Sequence, residues 1–250
     1  MKKIIIILLF CSTAYASPVT IDNVPAYSWY HGCSPTAVGM VLGYWDMNGY
    51  DNLFDATGSD VFLTANVQDH ISSPEHNYFY DPKPDRTGTP PPDTSIADFM
   101  GTSEGSLSMG STYVSRIDDG ARNYAAWRGY TDWVSYNTST DFQYIVDEID
   151  AGRPLVGYVA SGTSGPNHSV PIIGYDLANM LYGFYTGWGE SESIMWQPYR
   201  GVSSQWAWGV RSLTYIRPGE PDELSPVPEP STLILFGVGL LGLAKIQRKR

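Results

Sequence analysis

Residues 29–45, WYHGCSPTAVGMVLGYW, hold one of the two cysteines in the 250-residue chain. From Ala37 to Trp45 the residues are apolar on nearly every side, which predicts a helix buried all round rather than an amphipathic one lying on the surface. Ser34 is suited to cap its start, Pro35 to open its first turn, and Asn48-Gly49 to stop it. Cys33 therefore stands at the N-terminus of a central helix. There the dipole and free N–H groups favour a thiolate and can hold a developing oxyanion.

The two ends of the chain decide whether this cysteine has a partner. The start, MKKIIIILLFCSTAYA, has two lysines, an apolar run from Ile4 to Phe10 and the small-x-small triplet Ala14-Tyr15-Ala16. It reads as a secretory signal peptide, residues 1–16, cut by signal peptidase after Ala16. Leu9 and Phe10 are poor neighbours for lipid attachment at Cys11, which leaves with the signal. The mature chain then carries Cys33 alone, in an oxidising compartment where cysteines usually form disulfides. A solitary thiol there points to reactivity or intermolecular pairing; the alternative is a small buried hydrophobe.

The other end reads SPVPEPSTLILFGVGLLGLAKIQRKR, with an apolar run from Leu233 to Ala244 followed by Lys245, Arg248, Lys249 and Arg250. Pro228-Glu229-Pro230, the short apolar segment and the terminal basic cluster, in that order, resemble the PEP-CTERM sorting signal of Gram-negative bacteria. The resemblance implies export, transient inner-membrane anchoring through residues 227–250, cleavage near the motif by an exosortase, and release to the envelope or extracellular matrix.

Residues 17–226 remain as one domain. They keep 9 basic and 25 acidic residues, a net charge of −16. Such a surface repels nucleic acid and anionic membranes. The proline-rich stretch 80–94 reads as a long surface loop. No phosphate-cradling glycine loop, Gly-x-Ser-x-Gly elbow or Cys/His zinc spacing is present, so neither cofactor nor metal is expected. DMNGYDNLFD (46–55) lacks the register of a calcium loop and reads as a helix end and turn.

A nucleophilic cysteine needs a base. His70 and His76 lie in the polar stretch QDHISSPEHNY and are expected at the surface. His31 is too close along the chain to face the thiol easily. His168 follows the glycine-rich 160–167 and opens the strand-like SVPIIGYD, just after another expected strand at 154–160. A polar residue at the mouth of a buried strand beside a loop is a common seat for a catalytic base. Cysteine on an early helix, then histidine at a strand head over 100 residues later, is the chain order of papain-like enzymes. VPAYSWYHGCSPTAVGMVLGYW and DFQYIVDEIDAGRPLVGYVASGTSGPNHSVPIIGYD (141–176) resemble, respectively, the nucleophile helix and the second half of the bacteriocin-processing (double-glycine leader) peptidase-like family.

The resemblance implies an α+β papain-like fold, an N-terminal helical half packed on a C-terminal antiparallel sheet, and a thiol peptidase acting on a peptide or protein substrate. Cys33 would be the nucleophile and His168 the base. Two helpers depart from the pattern. No glutamine precedes Cys33 to donate to the oxyanion, and Tyr27 or Ser28 stands near its place; a hydroxyl or an indole could substitute. In TGWG (186–189), Thr186 occupies the Asn/Asp position, and its Oγ is expected to accept from the imidazole, with Trp188 shielding the ring. Asp176 lies eight residues along the same strand from His168, roughly 26 Å away, too far to serve. These departures keep open a second reading: a catalytically decayed matrix protein binding peptide or exopolysaccharide. The acidic residues of the amphipathic helix at 138–154 are expected on a solvated face, 113–130 beside the central helix, and residues 193–218 in closing strands whose tryptophans serve the core.

Overall fold

The computed structural model describes residues 17–55, 62–81, 88–138, 140–160, 167–190, 192–203 and 205–219. The expected signal peptide and sorting segment lie outside the described residues. The chain divides into two units at Pro218–Gly219, and every helix and strand of the described residues lies in the first.

The apolar run after Cys33 forms α1, Cys33–Asp46, with Val38, Val41, Leu42 and Met40 at most 1% exposed. Burying each such side chain is worth about 1.5–3 kcal/mol. Against α1 pack α2 (Ala65–Ile71), α4 (Ile96–Phe99) and α5 (Ile117–Trp127); α3 (Pro74–Tyr80) lies between α2 and α4 in the chain, and α6 (Phe142–Asp150) follows later. α5 lies where the 113–130 stretch was expected and packs against α1 and α4. Tyr27 reaches into this core: a Cβ on Gly43 of α1 would sit 2.5 Å from its hydroxyl, so the helix needs glycine there.

The strands are β1 (Val19–Thr20), β2 (Trp133–Thr138), β3 (Leu155–Ala160), β4 (His168–Asp176), β5 (Leu181–Phe184), β6 (Met195–Pro198) and β7 (Gly209–Pro218). They form an antiparallel sheet ordered β2-β7-β3-β4-β5-β6, with β1 pairing β4. The period of two divides its side chains between two cores. Val156 and Ile216 join the α1 core, while Leu155, Val159, Leu213 and Tyr215 join the α6 core. All nine residues of β4 are buried, which its near-continuous apolar run anticipates.

Four local expectations are corrected. Ser34 does not cap α1: Gly32 holds the cap position without a side-chain bond, and Pro35 is the third helical residue rather than the first. The Ser34 hydroxyl instead meets the Ser169 hydroxyl of β4 at 2.8 Å, a cross-chain partner that local sequence cannot display. His70 and His76 are buried, not at the surface. Each is drawn inward by a partner far along the chain, His76 Nδ1 by Asp98 Oδ1 at 2.5 Å and His70 Nδ1 by the Tyr124 hydroxyl at 3.0 Å. Glu148 of α6 is likewise buried rather than solvated, because Arg153 donates two hydrogen bonds to its carboxylate, at 3.0 and 2.8 Å. The segment 46–55 is a helix end and turn as read, with Asp46 Oδ1 accepting the Phe54 N–H at 2.9 Å.

Candidate active site

The N-terminus of α1 and the first residue of β4 meet at one point, pinned by the Ser34–Ser169 hydrogen bond. Cys33 is half-buried and His168 buried. Burial pushes the Cys33 thiol up, but the hydrogen bond with His168, the imidazolium charge, the Ser169 N–H and the Ser34 hydroxyl outweigh it and hold the pKa below the usual thiol value. Burial lowers the His168 imidazole in turn. The hydrogen bond with Cys33, the Thr186 carbonyl, the thiolate charge and the nearby Glu192 carboxylate outweigh that and raise it. Each group thus favours the charged form of the other, the condition for a thiolate–imidazolium pair.

His168 Nε2 donates to the main-chain carbonyl of Thr186 at 2.6 Å, which leaves Nδ1 for the thiol. Thr186 therefore orients the ring, but not through the expected atom. Its Oγ is spent on Glu192 Oε2 at 2.6 Å, while the Gly187 N–H donates to Glu192 Oε1 at 2.8 Å. Glu192 is the site residue that sequence reading missed. It lies six residues beyond Thr186 in a polar run with no motif around it, and only the turn between β5 and β6 brings it back.

Trp188 stacks over the imidazole at 5.6 Å and 26°, where a shielding aromatic was expected, and stays 60% exposed. Trp208 meets the ring edge-on at 6.1 Å. The Trp29 N–H donates to the Gly187 carbonyl at 2.6 Å and ties the segment before the nucleophile to the loop after β5. Gly187 takes φ +74°, a left-handed conformation that glycine adopts without strain.

A shallow depression borders Cys33 and His168, lined also by Trp29, Ala37, Met40 and Gly187. As the first helical residue, Cys33 has an N–H with no intrahelical acceptor, free to donate to an oxyanion. Of the residues before it, Tyr27 is fully buried in the core and is ruled out as the second donor. Trp29 alone of Tyr27, Ser28 and Trp29 borders the depression. His31 points away from the thiol to Asp81, with Nδ1 2.5 Å from Oδ2. Asp176 accepts from Asn179 in its own turn and takes no part. Among the described residues no group of three or more His, Cys, Asp and Glu side chains is placed to hold a metal ion.

Cys33 at the head of a buried helix thus lies beside His168 at the head of an antiparallel strand. Residues 21–209 match the Peptidase_C39 like family, and the chain belongs to that family. Residues 226–249 match the PEP-CTERM protein-sorting motif, which marks the chain for export and envelope sorting and implies processing by an exosortase. No curated protein matches the chain. Among solved structures it is similar to active wild-type interpain A, a cysteine protease of Prevotella intermedia. That likeness has 17% identity and a TM-score of 0.42, covering 81% of this chain and 95% of that one.

Proposed function

We propose that the protein is an exported cysteine peptidase, or a related thiol acyl-transfer enzyme, working through Cys33 and His168. The place of Cys33 and His168 side by side in one depression, where the thiol is lowered and the imidazole raised, carries the reading. The Cys33 thiolate attacks a peptide carbonyl, forming the C–S bond as the oxygen takes the negative charge. The Cys33 N–H donates to that oxyanion, and Trp29 flanks it. His168 Nδ1–H gives its proton to the leaving amine as the C–N bond breaks. The neutral imidazole then takes a proton from water, or from an acceptor amine, as it attacks the thioester and frees Cys33. Thr186 serves through its carbonyl, holding the ring in the tautomer this sequence requires.

In this reading residues 17–226 are the secreted domain, released by signal peptidase from 1–16 and by exosortase near Pro228-Glu229-Pro230. The apolar run 233–244 anchors the chain in the inner membrane until then. Among the described residues no helix is long and apolar enough to cross a membrane. The substrate is a peptide or protein segment extended across the depression.

A second reading is favoured by the missing glutamine and by Thr186 at the Asn/Asp position: a matrix protein whose inherited cleft binds peptide or exopolysaccharide without turnover. An epoxide that alkylates thiolates separates the two. The enzyme reading expects rapid neutral-pH labelling of Cys33 that His168→Ala abolishes. Slow labelling indifferent to the histidine, with no peptide turnover, establishes the binding protein instead.

A further inference from the structure

One peptide group, the amide joining Thr186 to Gly187, is held at both ends. Its carbonyl accepts from His168 Nε2 at 2.6 Å, and its N–H donates to Glu192 Oε1 at 2.8 Å. The other carboxylate oxygen, Oε2, takes the Thr186 hydroxyl at 2.6 Å, and that hydroxyl also accepts the Trp188 N–H at 3.2 Å. We propose that Glu192 is the positioning residue for His168, acting through the Thr186–Gly187 amide in place of the Asn or Asp side chain this chain lacks.

Two effects act together. Hydrogen bonds in a chain polarise one another, so a carboxylate on the N–H end of an amide drives electron density toward its carbonyl oxygen. The oxygen facing the imidazole then carries more negative charge than an unassisted carbonyl. It does for an imidazolium part of what a direct carboxylate would do. The second effect is geometric. Both bonds to Glu192 close the turn after β5, and that turn sets the plane of the Thr186–Gly187 amide and the place of Trp188 over the ring. A side-chain Asn can rotate about its own bonds; a main-chain carbonyl points at the imidazole only while the turn is clamped.

The titratable groups facing this assembly come from several elements. Cys33 of α1 faces the imidazole. Tyr185, at the end of β5, faces Glu192, and Asp22 of the N-terminal segment faces Tyr185; the Tyr185 phenol is pushed up first by burial, then by Glu192 and Asp22. Tyr158 of β3, with Arg211 beside it, faces Cys33. None of these neighbours supplies a carboxylate directly to the ring, so neutralising Glu192 reads on His168.

The consequence for catalysis rests on the dyad reading above, but its measurement does not. With histidine-labelled full-length protein carrying Cys33→Ala, NMR follows the His168 titration without the thiol. Adding Glu192→Gln, which keeps shape and one acceptor oxygen, lowers the His168 pKa by about half a unit or more; Glu192→Asp restores part of it. A folded Glu192→Gln protein with an unmoved His168 titration overturns the proposal. Should Glu192→Gln not fold, Thr186→Val, which removes one of the two bonds to the carboxylate, shifts the titration the same way by less, and no shift there overturns it equally. In the Cys33 protein, Glu192→Gln brings the alkaline limb of epoxide labelling to lower pH. Wild-type protein that resists the epoxide, while His168 still responds to Glu192→Gln, sinks the enzyme reading and supports the positioning role. Wild-type protein that labels, with His168 indifferent to Glu192, sinks the positioning role alone.

Discussion

The helical half and the sheet half each set a histidine against an acidic group, and the two pairs do opposite work. In the helical half, His76 is fully buried and bonds Asp98 directly at 2.5 Å; the same carboxylate also takes the Thr94 and Ser95 N–H groups and the Ser95 hydroxyl. That bond serves as a buried bolt between α3 and α4. At the sheet end, His168 meets a carbonyl, with the carboxylate one amide further back, and shares a shallow depression with the Cys33 thiol. A direct buried carboxylate makes a histidine structural here. In the proposed reading, a weaker acceptor and a neighbouring thiol make the other one chemical.

The largest expected contrast comes from deleting each ring. His168→Ala should slow epoxide labelling of Cys33 by about 10²–10⁴-fold with little change in the urea midpoint, the usual weight of a positioned acid–base group. His76→Ala should do the reverse. It strips the main partner from a buried carboxylate and should cost about 3 kcal/mol of stability in urea unfolding, while the labelling rate per folded molecule holds. Equal activity losses in the two variants would erase the distinction.

The pH profile comes next, and its sign follows from the two shifts. Cys33 is lowered, so the thiolate is lost only as pH falls through a value below the ordinary thiol pKa of about 8.5. His168 is raised, so the imidazolium is lost as pH rises through a value above the ordinary imidazole pKa of about 6.5. Labelling should follow a bell, its acid limb moved down by the lowered thiol and its alkaline limb moved up by the raised imidazole. A single rise near the free-thiol pKa would show that the pair does not form.

Trp188 tests what covers the chemical histidine. Because it is 60% exposed, Trp188→Ala should barely move the unfolding midpoint. It opens the His168–Thr186 bond to water and should slow labelling about tenfold, or about 1.4 kcal/mol. The smallest effect belongs to the pin between the halves. Ser34→Ala should cost about 1 kcal/mol of stability, since it leaves the buried Ser169 hydroxyl short of a partner. Differential scanning calorimetry can read that change.

Much of this was legible in residues 29–45 and 141–176. A run apolar on all sides reports burial whatever lies around it, and so α1 was readable from its own residues. β3 and β4 were readable too, because a strand covered on both faces shows a continuous apolar run. The positions of Cys33 and His168 at the starts of those elements followed directly. The polar contacts were illegible because no periodicity or motif pairs their partners, whether these are near or remote in sequence. His76 looked like a surface residue until Asp98, 22 positions on, came alongside it. Glu148 looked solvated until Arg153 and Arg217 closed over it.

The same division runs through the candidate site. Local composition and order singled out Cys33 as the candidate thiol and His168 as the candidate base, with Thr186 at the expected Asn/Asp position. Side-chain chemistry and periodicity are properties of short stretches and survive being read one residue at a time. Tertiary structure settled how the base is held. A main-chain carbonyl does what the Thr186 hydroxyl was expected to do, with a glutamate behind it that no motif announces. Backbone groups are the same at every position, so which carbonyl faces an imidazole is decided by the turn that aims it.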